Sequence, residues 1–183
     1  MKNNTYNKLD IAIKLTNQAI KMFFHKEDDI SIHVLVSAAN EILTKLLEKH
    51  NLKSSLGVNS VLIKQEHRKE WINGRRNVYN FSKHADKDID ESISFNSEFN
   101  WYLILENINF LQLLQIRRSN EMIYFNMWLW KTQRNIFVDN PKADEFMQKQ
   151  TIREDDFFKC FDEGIKIIDN IGSDKLQTLF IAN

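Results

Sequence analysis

The sequence predicts an all-α fold, a single-domain helical bundle of about six helices. Three observations carry this. Only four glycines and one proline occur in 183 residues, whereas hairpin-rich folds need many turn positions of those types. Apolar residues recur at three- and four-residue steps through six segments, and no segment shows the alternation of a half-buried strand. Hydrophobic residues make up 43% and charged residues 27%, the balance of a soluble domain with enough chain to bury a core. No repeat, low-complexity run or linker divides the chain. One domain is therefore expected over residues 1–183, with its core at 8–170 and a loosely packed tail.

The first helix carries Leu9, Ala12, Ile13, Ala19, Ile20, Phe23 and Phe24. The acidic turn Glu27-Asp28-Asp29 opens the second, where negative charge suits the helix dipole. Its stripe is Leu35, Ala38, Ala39, Ile42, Leu43, Leu46 and Leu47, and Lys49-His50-Asn51 marks its end with cations and a residue tolerant of left-handed backbone. Ser60 is the expected cap of a third helix through Leu62, Ile63, Trp71, Ile72, Val78 and Phe81, ending near Ser82. Ser97 is the expected cap of a very apolar fourth helix from Glu98 to Arg117. Ser119 is the expected cap of a fifth, which contains Met127-Trp128-Leu129-Trp130 and stops before Pro141. Thr151 and Glu154 match a capping box for a sixth, through Phe157, Phe158, Phe161, Ile165 and Ile168. Beyond Gly172, Leu176, Leu179 and Phe180 are candidates to dock.

Twenty-five basic and twenty-five acidic side chains cancel, which speaks against a general polyanion binder. The single Cys160 forms no intrachain disulfide, and no apolar run reads as a membrane span, so a cytoplasmic protein with no membrane partner is expected. The apolar turn at Trp128–Trp130 suits a central buried helix first and a homodimer surface second.

The polar residues concentrate in Arg75-Arg76-Asn77-Val78-Tyr79-Asn80-Phe81-Ser82-Lys83-His84-Ala85-Asp86. From Lys64 to Lys87, seven Lys/Arg oppose three Asp/Glu, an excess of four positive charges in a neutral chain. His84, Arg76 and Asn80 are the candidate catalytic residues: His84 as general acid/base, Arg76 on phosphate, Asn80 orienting the scissile group. Asn77, Lys83, Arg75 and Asp86 are candidate substrate-binding residues. The bland alternatives are specific. His84 is equally a helix C-terminal cation, Arg76 and Lys83 solvated charges, Asn80 a local cap, and His33 a half-buried structural histidine.

Three segments carry a resemblance: Ala19–Phe24, Ile32-His33-Val34-Leu35-Val36-Ser37-Ala38-Ala39-Asn40-Glu41-Ile42-Leu43, and Asn80-Phe81-Ser82-Lys83-His84-Ala85-Asp86-Lys87-Asp88. Together they look like a widespread bacterial family with an "N-F-x-K-H-A-D-x-D" element. The helical order is more distantly similar to the HEPN superfamily, helical bundles that include metal-independent ribonucleases and toxin components. That likeness implies a homodimer acting on RNA or a nucleotide. HEPN nucleases usually place four to six residues between Arg and His, whereas seven separate Arg76 from His84. On a continuous helix that eight-position step turns about 80° off the shared face.

No metal or cofactor is expected. Asp86, Asp88 and Asp90 begin like a calcium loop, but Glu91 and Ser97 stand where it needs Gly and bidentate Glu. Paired Glu-x-x-His motifs, a Gly-rich phosphate loop and a His-Glu-x-x-His motif are absent from the sequence. Two readings remain: an RNA- or nucleotide-directed protein, or a non-catalytic dimeric interaction or regulatory module whose Lys-His-Ala-Asp element fixes a loop.

Overall fold

The computed structural model describes residues 3–54, 65, 68–84, 90–136, 139–150, 152–177 and 179. Among them are eight α-helices and no strand: α1 (Lys8–Phe24), α2 (Asp29–Lys49), α3 (Arg68–Lys83), α4 (Glu98–Leu113), α5 (Asn120–Thr132), α6 (Pro141–Gln148), α7 (Phe161–Ile171) and α8 (Ser173–Leu176). The all-α expectation holds. They form two compact units, the first of residues 1–23 and 27–116, the second of 24–26 and 117–183.

In the first unit α2 packs on both α3 and α4, and α3 on α4. The start and stop of α2 follow from local chemistry. The Asp28 carboxylate accepts from Ser31 N at 2.7 Å, satisfying one of the helix's free N–H groups. At the other end Asn51 takes a positive φ of 56°, which reverses the chain. Along α2, Ile32, Val36, Ala39, Leu43 and Leu47 are buried at steps of three and four. Each fully buried Ile, Val or Leu of this row contributes about 1.5–3 kcal/mol, so the stripe holds the helix in place. In α1, Ala12, Thr16, Ala19 and Ile20 are buried at steps of one, three and four.

In the second unit α5 packs against α7 and α8. Phe24 sits in an aromatic cluster, with its ring edge-on to Tyr124 at 5.1 Å and stacked on Phe161 at 4.9 Å. The Tyr124 hydroxyl donates to the Phe157 carbonyl at 2.8 Å, so this buried ring keeps its polar end satisfied. Gly164 makes the packing possible: a Cβ there would stand 2.0 Å from Tyr124 Cε2. Trp128 and Trp130 are buried. Trp130 Nε1 donates to Asp144 at 3.0 Å, and Arg134 binds the same carboxylate through Nε and Nη2.

Several boundaries differ from expectation. The count is eight helices rather than six, because the region expected to hold one helix past Pro141 holds α6, a 3-10 turn at Glu154–Asp156, α7 and α8. Pro141 starts α6, where its missing N–H costs nothing, and the Asn140 side chain accepts from Ala143 N. Ser97 makes no side-chain cap, and Asn96 Oδ1 accepts from Glu98 N instead. α4 stops at Leu113, short of Arg117, with Gln115 at a positive φ of 59°. Ser119 caps α5 as expected. The expected caps Ser60 and Thr151 lie outside the described residues. By length and composition α2 alone among the described helices passes for a membrane span, which differs from the expectation that no apolar run would. Within its unit it is the helix that carries the polar row described next.

Candidate functional site

Helical spacing decides which residues of the polar cluster meet. Arg75, Arg76, Tyr79, Asn80 and Lys83 fall at steps of one, four, five and eight along α3, hence on one face. The facing side of α2 offers Ser37, Asn40, Glu41, Thr44, Lys45 and Glu48. Between them lies a cleft of about 260 Å³, with Leu103 of α4 also in its lining. The structure therefore brings together four of the expected site residues: Arg75, Arg76, Asn80 and Lys83.

The others lie elsewhere. Asn77 points to a second hollow, shared with Asn73, Gly74, Phe95 and Phe99. His84 is exposed one residue beyond α3 and outside the lining of either hollow; its backbone N–H donates to the Asn80 carbonyl at 3.1 Å. Asp86 lies outside the described residues.

The rim of the cleft is charged and accessible. Lys83 Nζ donates to Glu41 Oε2 at 3.2 Å, and the Tyr79 hydroxyl donates to the same oxygen at 3.1 Å. The Lys83 ammonium also lies 4.6 Å from the Tyr79 ring centre. These contacts hold the Glu41 carboxyl below its ordinary value, chiefly through the Lys83 hydrogen bond, and raise Lys83 through the reciprocal contact. Burial, then the bond to Glu41, raises Tyr79. Lys45 is paired with Glu48 at 2.8 Å. Arg76 is exposed and forms no ion pair among the described residues.

The floor is a buried polar network that sequence reasoning missed. Arg75, only 3% exposed, is ion-paired with Glu106 of α4, which is fully buried. Asn40 Nδ2 donates to Glu106 Oε2 and to Asn107 Oδ1, both at 2.9 Å. Asn107 Nδ2 in turn donates to the Val36 carbonyl at 2.9 Å. Two turns earlier on α4, Asn100 repeats the device on the Asp29 carbonyl at 2.9 Å. With its amide nitrogen committed there, Asn100 presents Oδ1 to His33 Nδ1 at 3.0 Å. Burial pushes the Glu106 carboxyl up, with Arg75 opposing, and lowers both Arg75 and His33.

A signal for this network was present. Asn100 and Asn107 stand seven apart, with Glu106 beside the second, in a helix otherwise rich in Leu, Ile and Phe. Polar groups at that spacing on one buried face must find partners, because an unpaired buried amide costs about 1–3 kcal/mol. Asn40 and Arg75 are those partners.

Chemically, the cleft offers exposed cations, an amide, an aromatic face and phenol from one helix, held by a rigid buried scaffold. Side chains of those types can hold an oxyanion beside a planar group. No group of three or more metal-ligating side chains occurs among the described residues. Compared with known proteins, the chain matches no family model, no curated protein and no solved structure.

Proposed function

We propose that the protein binds RNA or a nucleotide through the α2–α3 cleft. The observation that carries this reading is the clustering of Arg76, Tyr79, Asn80 and Lys83 on one face of α3, over the cleft. Arg76 and Lys83 contact phosphate oxygens, Asn80 reads a neutral polar edge, and Tyr79 offers its ring to a base. The HEPN-like relationship belongs to this reading, with a homodimer as its assembly. Its enzymatic form is a metal-independent ribonuclease with His84 as acid/base. The test is titration of a labelled single-stranded RNA and of AMP, repeated with Arg76→Ala and Lys83→Ala and across a salt series. Salt-sensitive binding is expected, weakened in each variant, with the salt slope falling by about one for every phosphate no longer neutralised. Absence of binding to both ligands at low salt, or unchanged binding in both variants, overturns it. RNA cleavage that disappears in His84→Ala adds the enzymatic form.

A second reading, an interaction module, draws on α7. Its Ile167 and Ile171 are 49% and 37% exposed one turn apart, an apolar edge suited to a partner surface.

A further inference from the structure

The cleft has a depth gradient. Arg76, Lys83, Lys45 and Glu48 are exposed at its rim. Ser37 and Arg75 are 7% and 3% exposed and line the same cleft from below, where Leu103 of α4 is also buried. Ser37 Oγ has no hydrogen-bond partner among the described residues, although it is a side-chain hydroxyl inside a polar network. Burying a hydroxyl without a partner is unfavourable, and such a group is satisfied by a bound water, an ion or an oxygen of a ligand. Arg75 is held from behind by Glu106 and Asn40, which fixes its guanidinium in place before any ligand enters.

We infer that this cleft takes a terminal phosphomonoester, the phosphate of a mononucleotide or the phosphorylated end of an RNA, rather than an internal phosphodiester. The inference rests on the nucleotide-binding reading and names the part of the ligand that enters. The phosphoryl group descends to Ser37 Oγ, and Arg76 and Lys83 close on it from the rim. Three arguments favour an end group. The floor is closed by α4, so a continuous strand crosses the rim but does not thread the cleft. A monoester has three terminal oxygens and a charge of about −1.5 to −2, which can engage floor and rim donors together. The rim supplies Arg76, a cation without an ion-pair partner among the described residues.

The experiment compares one short RNA carrying a 5′-phosphate with the same RNA carrying a 5′-hydroxyl, and adds AMP and adenosine as competitors. A hydrogen bond to a charged oxygen predicts at least about tenfold tighter binding of the phosphorylated RNA. In Ser37→Ala this ratio narrows toward one, while the melting temperature is retained because the hydroxyl removed had no partner. Displacement by AMP but not adenosine supports the free nucleotide as source; phosphate-dependent RNA binding that AMP does not displace supports the RNA end. Equal affinity for the two RNAs overturns the inference and leaves the binding reading standing. A ratio unchanged in Ser37→Ala also overturns it. Failure of both RNAs and AMP to bind overturns both.

Discussion

Replacing Arg75 with Met keeps an unbranched apolar stem and removes the guanidinium whose charge faces Glu106. The carboxylate left behind is fully buried, and of the donors that reach its Oε2 only Asn40 Nδ2, at 2.9 Å, remains. Glu106 Oε1 accepts no hydrogen bond among the described residues. Breaking one side of a buried ion pair costs about 3–5 kcal/mol, because the surviving charge is uncompensated. The double change Arg75→Met with Glu106→Gln removes the charge as well and recovers most of that loss. The sign of the pH effect follows from burial. The folded-state pKa of Glu106 is already raised above 4.5, and the single variant raises it further. Stability from such a group is fully present below the unfolded value and is lost as pH rises through the folded one. The gap between Arg75→Met and the parent protein therefore shrinks as pH falls toward 4.5. Urea unfolding followed by circular dichroism at several pH values reads this. A loss under about 1 kcal/mol at neutral pH, or a gap that widens on acidification, refutes the account of the cleft floor.

Two further outcomes follow from buried groups. His33 is fully buried with its pKa lowered from 6.5, chiefly by burial, so it stays neutral when folded while the unfolded chain takes a proton. Stability should fall as pH drops below 6.5, with a slope of up to about 1.4 kcal/mol per pH unit, and His33→Gln should flatten that slope in acid titration of urea midpoints. Gly164→Ala places a Cβ 2.0 Å from Tyr124, so despite Ala's better helix propensity it should cost about 1–3 kcal/mol by thermal or urea unfolding.

Much of the fold was legible in the sequence where periodicity and capping agreed. The Asp28 start of α2 and its left-handed Asn51 appear as local signals, and Ser119 caps α5 as its position suggests. The α2 stripe was read only in part: Ala39, Leu43 and Leu47 are buried as expected, but Leu35, Ala38, Ile42 and Leu46 are half-buried, and Ile32 and Val36 complete the buried row. Boundaries failed where two signals competed. Asn96 and Ser97 are both good caps, and the geometry uses Asn96. Thr151 and Glu154 suggest a helix start, yet the chain makes only a 3-10 turn before α7 begins at Phe161. At the candidate site the face of α3 was predictable from spacing, since Arg76, Asn80 and Lys83 share a stripe by helical geometry alone. The role of Arg75 was not. One position away from Arg76, it turns toward α4, and only the partner helix reveals Glu106 waiting there. Glu41 was hidden for the same reason: its function as the anchor for Tyr79 and Lys83 depends on how α2 and α3 pack.

Titration of a 5′-phosphorylated single-stranded RNA against the parent protein, Arg76→Ala and Lys83→Ala at two salt concentrations decides whether the α2–α3 cleft binds RNA. Tight binding at low salt, weaker binding at high salt and a shallower salt dependence in each variant are expected. Binding that is absent in the parent protein at low salt, or identical in all three proteins, contradicts binding at the cleft.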